Sequence, residues 1–271
     1  MRNVTIGQYY PAASIIHRLD PRVKLMATFG YITVVFLFSH FWSYAVAAMF
    51  LAGIIKLSNV PPVFLFRGLR SIVFILLFTV VLNIFFAPGS TVLFEAGFIM
   101  LTQEGLLLAA RMGTRLVLLV VGSSVLTLTT SPIALTSAIE YVLKPLKKIG
   151  IPAHEIAMMM TIALRFIPTL IEEMDKIMKA QMARGADFDT GGLYKKAKGM
   201  IPLLVPLFVS AFRRADDLAL AMEARCYRGD VNRTSMKKLT MGRQDYIAIA
   251  VLIVFATVAF AAGYSQGILK P

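Results

Sequence analysis

The sequence predicts an all-α integral membrane protein with about five transmembrane helices and a cytoplasmic coupling module of long crossed amphipathic helices. Hydrophobic residues make up 58% of the 271 positions and charged residues only 16%, whereas soluble domains carry about 25% charged residues. Apolar runs approaching the length of a bilayer crossing recur along the chain. Two long segments, 153–183 and 194–227, change from apolar to charged along their length, which is typical of helices that leave a bilayer and enter water.

Five apolar segments are expected to cross the membrane, and the two nearest the N-terminus are short. Residues 25–39 and 41–55 each lie near the lower limit for a hydrocarbon core of about 30 Å. Two tight antiparallel crossings are the preferred interpretation of these runs, and one re-entrant or interfacial pair is the alternative. The remaining predicted crossings are residues 72–86, 105–129 and 246–263.

The distribution of charge predicts the orientation. Between residues 88 and 104 there is no Lys or Arg, only Glu95 and Glu104, whereas Lys56, Arg67 and Arg70 flank the preceding crossing. Because basic residues favour the cytoplasmic side, we expect an external 88–104 loop and a cytoplasmic N-terminus. The net charge of +13 is then explained by this topology and by lipid headgroups of the bilayer. No nucleic-acid partner is expected, since no base-reading or stacking motif accompanies the basic residues.

Helix-start signals divide the chain. Asp20 before Pro21 and Ser131 before Pro132 each place a capping residue ahead of a proline at the first helical position. The second signal opens a short helix over 133–143, which ends at Lys144 and Pro145. We therefore predict an N-terminal arm with transmembrane helices over 1–130, a cytoplasmic coupling module over 131–243 and a C-terminal transmembrane helix over 244–271.

The coupling module contains the two long segments, joined by a turn-rich linker at 187–192. Pro168 is expected to kink the first segment and Pro202 and Pro206 to bend the second. Ala211, Ala215 and Ala219 fall four residues apart on one face of the second segment. Such a stripe of small side chains lets two helices cross closely.

Each long segment ends in the same short phrase, Ala183-Arg184-Gly185 in the first and Ala224-Arg225-Cys226 in the second, with the arginines 41 positions apart. Gly185 and Gly229 are available to end the helices. One interpretation is that each arginine offsets the helix dipole, for about 0.3–1 kcal/mol. The duplication favours docking instead, because a guanidinium can bind a partner's carboxylate bidentately and small neighbours let it enter a groove.

Other charged residues define what the chain is not expected to do. Arg111 and Arg115 lie on one helical face, where they either snorkel to the interface or dock a membrane partner.

There is no Gly-x-x-x-x-Gly-Lys-Ser/Thr loop, so the chain is not expected to hydrolyse ATP. The three histidines are far apart and the acidic residues do not cluster, which argues against a metal site. The single cysteine excludes an internal disulfide. Residues 1–22 lack the apolar core of a cleavable signal, so the first crossing should stay in the protein.

In these phrases the sequence resembles a known family, the EcfT/CbiQ-like transmembrane T components of energy-coupling factor (ECF) transporters, which are ABC-type importers of vitamins and metal ions. The resemblance covers nearly the whole chain. It rests on Leu19-Asp20-Pro21-Arg22-x-Lys24, Thr129-Thr130-Ser131-Pro132, the 145–152 hinge, Leu164-Arg165-Phe166-Ile167-Pro168 and the two arginine phrases, the second within 221–229.

The resemblance implies a non-enzymatic energy-coupling subunit of the cell membrane, multi-pass and bacterial. Its partners would be two cytosolic ABC ATPases, a homodimer or a heterodimer, which bind the ATP and Mg²⁺, and a small membrane-embedded substrate-binding S component. Ala183, Arg184, Gly185, Ala224, Arg225 and Cys226 would dock the ATPases. Cys226 stands where the family usually has Gly, Ser or Ala.

The face toward the S component would lie on the membrane-proximal halves of the two long helices. It would comprise Met158, Met159, Ile162, Phe166, Leu203, Leu207, Ala211, Ala215 and Ala219. The alternative function is a conventional ABC importer permease with its own substrate path. Such a permease would need polar groups lining the spans, and residues 72–86 and 246–263 offer very few.

Overall fold

The structure is a computed structural model of the chain, and it describes residues 9–38, 40–86, 91–96, 99–150, 152–186, 192–229 and 239–268. The described part is helical apart from one short hairpin. Its elements are α1 (Ile15–Arg18), α2 (Pro21–Phe36), α3 (Phe41–Ser58), α4 (Pro62–Phe86), β1 (Val92–Ala96), β2 (Ile99–Thr102), α5 (Gln103–Thr129), α6 (Pro132–Leu143), a 3₁₀ helix (Lys144–Ile149), α7 (Ala153–Ala183), α8 (Leu193–Ala224) and α9 (Arg243–Ile268).

The chain divides into two compact units, with the divisions at 138/139 and 237/238. The core unit comprises residues 7–138 and 238–271, and therefore holds α1 to α5, the hairpin and α9. The insert unit comprises residues 139–237 and holds α7 and α8. The first division falls inside α6. The sequence-based boundaries, 130/131 and 243/244, lie eight and six residues from the observed ones.

The two predicted helix starts are present with their caps. The Asp20 carboxylate accepts a hydrogen bond from the backbone N–H of Arg22 (2.9 Å), and Pro21 is the first residue of α2. Ser131 Oγ accepts from the backbone N–H of Ala134 (3.3 Å), and α6 begins at Pro132. Proline suits this position because its missing N–H has no intrahelical partner there.

Four described helices are long and apolar enough to cross a membrane: α3, α5, α7 and α9. The two parts of α4, Pro62–Arg70 and Ile72–Phe85, bend by 61° and make a fifth candidate if they form one span. The number of candidate spans, counting α4 as one, agrees with the predicted five, but the helices that make up this set differ from the predicted ones. Helix α2 has only 16 residues, and α7, placed by the sequence in the coupling module, is itself a candidate span over Ala153–Ala183.

Aromatic stacking between α2, α3 and α9 organises the core unit. The rings of Phe50 and Phe255 stack with centroids 4.2 Å apart, and Tyr31 stacks on Phe255 at 5.9 Å. Gly122 of α5 makes room for Tyr31, since a Cβ at this glycine would lie 2.4 Å from the tyrosine ring. This close approach lets α5 pack against α2 at the centre of the unit.

A two-stranded antiparallel hairpin connects α4 and α5, where the sequence predicted only an external loop. Residue pairs Glu95/Met100 and Ala96/Ile99 face each other across it. Thr102 ends β2 and caps α5, because its side chain accepts a hydrogen bond from the backbone N–H of Gly105 at 3.1 Å. The hairpin is a local addition and leaves the helical fold class as predicted.

Candidate functional site: the paired ends of two long helices

Helix α7 ends in a Schellman motif centred on Gly185. The backbone N–H of Gly185 donates to the carbonyl of Met182 (2.9 Å), and that of Ala186 donates to the carbonyl of Gln181 (3.0 Å). Gly185 has φ of 87°, the left-handed conformation this motif requires. Arg184 is therefore the last residue before the chain reverses direction.

Helix α8 ends in the same motif, centred on Cys226. The backbone N–H of Cys226 donates to the carbonyl of Glu223 (2.8 Å), and that of Tyr227 donates to the carbonyl of Met222 (3.0 Å). Cys226 has φ of 55°. The expectation that Gly229 ends this helix is wrong: Gly229 also has positive φ, 71°, but lies three residues beyond the reversal. Arg184 and Arg225 thus occupy equivalent positions in two equivalent caps.

The structure leaves both arginine phrases accessible. All six predicted docking residues are exposed: Ala183, Arg184, Gly185, Ala224, Arg225 and Cys226. Within the described ranges, the side chains of Arg184 and Arg225 make no hydrogen bond and no ion pair. Each guanidinium is therefore available to an external acceptor.

An ion pair joins the two long helices within the insert unit. Arg214 Nη2 donates to Glu173 Oε2 at 2.6 Å, with side chains 33% and 23% exposed. Each member lies eleven residues before the arginine that ends its helix, 173 to 184 and 214 to 225. At 1.5 Å per residue, both helix ends lie about 16 Å along their axes from this contact. The two arms beyond the crossing are equal in length.

An apolar groove of about 270 Å³ lies beside this ion pair, between α7 and α8. Its lining combines bulky side chains of α7 with the small-residue stripe of α8, so the stripe lies on the face that α8 turns toward α7. The lining residues are Ile162, Phe166, Leu170, Ala211, Arg214, Ala215, Leu218, Ala219 and Met222.

The groove brings together five of the nine residues predicted to face the S component: Ile162, Phe166, Ala211, Ala215 and Ala219. Met159 is exposed, whereas Met158 and Leu207 are half-buried. Leu203 is only 8% exposed. Bulky exposed side chains of α8 occupy neighbouring positions that are not among the nine residues named for this face: Ile201, Leu204, Val205, Phe208, Val209 and Phe212.

Arg115 has a role that the sequence did not reveal. Its Nη2 donates to the carbonyl of Phe38 (2.6 Å) and its Nε to the hydroxyl of Tyr44 (3.0 Å), so it joins α5 to the connection after α2 and to α3. The sequence interpretations were snorkelling and docking of a membrane partner. The contacts show a third arrangement, in which the guanidinium supplies donors to its own chain at membrane depth.

The described residues contain no group of three or more His, Cys, Asp or Glu side chains placed to hold a metal ion. His154 Nδ1 lies 2.8 Å from Glu140 Oε1, which links α7 to the end of α6. This pair belongs to the packing of the insert unit.

Fold and site together define a helical, multi-span integral membrane protein with a separate helical insert. Residues 12–236 match the family model for CbiQ, cobalt transport protein. The chain is 55% identical over 257 residues to a protein of Thermosediminibacter oceani, covering 94% of this chain and 97% of that one. It is 47% identical over 260 residues to a protein of Bacillus subtilis, covering 96% and 98% respectively. Both relatives are energy-coupling factor transporter transmembrane proteins EcfT.

The chain therefore belongs to the EcfT/CbiQ-like family, the transmembrane T components of energy-coupling factor transporters. The relatives are named as components of a transporter and not as enzymes.

Proposed function

We propose that the chain couples ATP hydrolysis by two cytosolic ABC ATPases to reorientation of a membrane-embedded S component that carries a vitamin or a metal ion. ATP and Mg²⁺ would be bound by the ATPases, and substrate by the S component. The observation that carries this proposal is the pair of equivalent, exposed, unpartnered arginine helix ends, Arg184 and Arg225.

The equal arms of α7 and α8 support docking of two similar partners. Both helices reverse direction through the same cap, and both arginines lie eleven residues beyond the Glu173–Arg214 contact. Two ATPases that pair with each other would present two similar grooves, one for each arm. Since an arginine fork can bind a carboxylate with two parallel hydrogen bonds, an acidic groove on each ATPase is the expected acceptor.

The apolar groove between α7 and α8 supports contact with the S component. Ala215 and Ala219 are exposed on its rim, and Ile162, Phe166 and Ala211 are half-buried in its lining. We propose that these residues, with Met158, Met159, Leu203 and Leu207, form the S-component face. Closure of the ATPase pair would then move the arms about their crossing and tilt the bound S component, so that its substrate site opens inward.

The ATPase docking residues are tested by charge reversal. Arg184→Glu and Arg225→Glu, alone and together, are introduced into the full chain, and proteins purified with it in mild detergent are identified by mass spectrometry. We expect the double variant to lose the ATPases, recognised by their own Gly-x-x-x-x-Gly-Lys-Ser/Thr loops. Each single variant should lose part of them, because one arm remains.

The matched controls reverse exposed cations elsewhere on the same helices, Lys179→Glu on α7 and Arg213→Glu on α8. These variants change the net charge equally and should retain the ATPases. If the double arginine variant retains the ATPases as the wild type does, the docking assignment is wrong. If the control variants lose the ATPases too, ATPase binding depends on the general charge of the helices and not on the two helix ends.

A further inference from the structure

The N-terminal phrase from Leu19 to Lys24 has no part in the proposed docking sites, yet its charged side chains are buried in the core unit. Asp20 is 6% exposed and Lys24 7%, and the side chain of Arg22 is 12% exposed. Buried charges are retained where hydrogen bonds and opposite charges offset their desolvation. Their partners therefore show what the phrase holds in place.

Lys24 holds the end of α5. Its Nζ donates to the carbonyl of Thr129 (2.9 Å) and to that of His17 (3.0 Å). The backbone N–H of Tyr10 donates to the carbonyl of Leu128 (2.9 Å). Leu128 and Thr129 are the last two residues of α5, where carbonyls lack intrahelical donors and a cation matches the helix dipole. The N-terminal arm thus caps α5 where the chain turns toward α6, inside which the insert unit begins.

Asp20 and Arg22 hold the segment through which the chain returns. The backbone N–H of Asp20 donates to Asp245 Oδ1 (2.8 Å), and Asp245 Oδ2 accepts from the backbone N–H of Gly242 (2.8 Å) at the start of α9. Arg22 Nη2 donates to the carbonyl of Leu239 (2.8 Å) and to Asp20 Oδ2 (2.8 Å). Arg22 of α2 and the N-cap residue Asp20 therefore hold residues 239–245 in place.

The Asp20 carboxylate remains charged in this arrangement. Burial raises its pKa, but hydrogen bonds from the side chain and backbone of Arg22, with the charges of Arg22 and Lys24, hold the pKa below its ordinary value. The ion pair with Arg22 is therefore present at neutral pH.

We propose that Asp20, Arg22 and Lys24 form a clamp that fixes two connections inside the core unit, through which the chain runs to and from the insert unit: Thr129 at the end of α5, before α6, and Leu239 to Asp245 at the start of α9. They act as positioning residues. With both connections held, a displacement of α7 and α8 by soluble partners is transmitted to the core unit and is not lost in fraying of α5 and α9. This inference rests on the proposed coupling function.

The test is amide hydrogen exchange on the full chain in lipid nanodiscs. Lys24→Met removes the donor to α5 while keeping side-chain volume. Arg22→Lys keeps the charge, but it lacks the Nε donor to Asp20 and ends a bond short of the Nη2 position from which Arg22 reaches both Asp20 and Leu239. Lys24→Met should accelerate exchange about tenfold over residues 126–132 and leave 240–246 unchanged, and Arg22→Lys should do the reverse. Arg18→Gln is the control. Arg18 is an exposed cation of the N-terminal arm, and it makes no ion pair with a described residue.

A second readout separates positioning from simple stabilisation. In complexes that contain the ATPases, a non-hydrolysable ATP analogue should change exchange in the core unit of the wild type and of Arg18→Gln, but not of Lys24→Met. Exchange that rises evenly along the chain, or at neither connection, would overturn the clamp. A nucleotide response of Lys24→Met equal to that of the wild type would also overturn the clamp. Failure of the docking proposal is seen separately, as ATPases retained by the Arg184→Glu and Arg225→Glu double variant.

Discussion

Two residues with positive φ determine how the coupling helices end. Gly185 adopts φ of 87° without steric cost, whereas Cys226 at 55° carries a Cβ in the left-handed region. The small residue after each arginine therefore has a backbone role in addition to its proposed role in fitting a groove. It occupies the position where the chain must reverse for the arginine to stand at the tip.

This role predicts that Gly185→Ala destabilises the end of α7 by about 1 kcal/mol, because a side chain in the left-handed region is strained. Amides over 181–186 should then exchange roughly fivefold faster. Gly192→Ala is the matched control: a Cβ would meet no atom within 4 Å at either glycine, but Gly192 has φ of −69°. Equal effects of the two substitutions would refute the backbone explanation. The converse change, Cys226→Gly, should slow exchange at the end of α8 by a similar factor.

For individual residues, the sequence predicts those roles that depend on neighbouring positions in the chain. The capping roles of Asp20 and Ser131 follow from a short side chain beside a proline, and the structure has both. The end of α8 was assigned to Gly229 because glycine is the usual residue there. The equivalence of Cys226 with Gly185 in the two phrases was the available signal. The contacts of Arg115 with Phe38 and Tyr44 span more than 70 positions, so no local pattern could indicate them.

At the level of elements, the crossing of α7 and α8 combines an apolar groove with one ion pair. The small side chains at Ala211, Ala215 and Ala219 allow the approach, and the Glu173–Arg214 contact selects which residues lie opposite each other. Since the pair is equidistant from both arginines, a shift in register at the crossing would lengthen one arm and shorten the other. The pair therefore sets the relative lengths of the two arms that carry the proposed docking ends.

This argument predicts a measurable coupling between Glu173 and Arg214. A double-mutant cycle with Glu173→Arg and Arg214→Glu should give a coupling energy of about 1 kcal/mol, since the pair is partly exposed but hydrogen-bonded. Each single variant should lower the thermal midpoint in detergent, and the exchanged pair should recover most of the loss. The same cycle at Glu172 and Arg213, the exposed residues adjacent in sequence to the pair, should give about zero, because no hydrogen bond or ion pair joins these two residues in the described part of the chain. A similar coupling energy in both cycles would mean that the cycles report a general effect of charge and not the Glu173–Arg214 contact.

The elements themselves were largely predictable because their signals are periodic or compositional. Helices α3, α5 and α9 follow from apolar runs, and α6 from its cap and its closing Lys144-Pro145. The hairpin was missed because a segment without basic residues was assigned to a loop on charge alone. Two short apolar runs separated by Gly97 were the overlooked strand signal. Helix α2 was predicted to cross the membrane from residues 25–39, but it ends at Phe36, short of the usual length of about 20 residues.

At the level of the whole molecule, the fold depends on contacts between residues far apart in sequence. Lys24 reaches Thr129 across 105 positions, Arg22 reaches Leu239 across 217, and Asp20 reaches Asp245 across 225. The sequence marks these residues as a phrase without showing its partners, because nothing local specifies which distant helix ends meet. The sequence predicts a coupling module over 131–243, in contrast, from a local signal, the change from apolar to charged along the two long segments.

The proposed orientation makes the final prediction, and the single cysteine allows a direct test of it. Cys226 is exposed beside Arg225, so docking to cytosolic ATPases requires it to face the cytoplasm. A membrane-impermeant maleimide should leave Cys226 unmodified in intact cells and label it in inverted membrane vesicles. A Thr91→Cys, Cys226→Gly variant should label in the opposite way, because Thr91 is exposed at the start of the 91–102 connection predicted to lie outside. Labelling of Cys226 in intact cells, with Thr91→Cys protected, would invert the topology and remove the basis for ATPase docking at these helix ends.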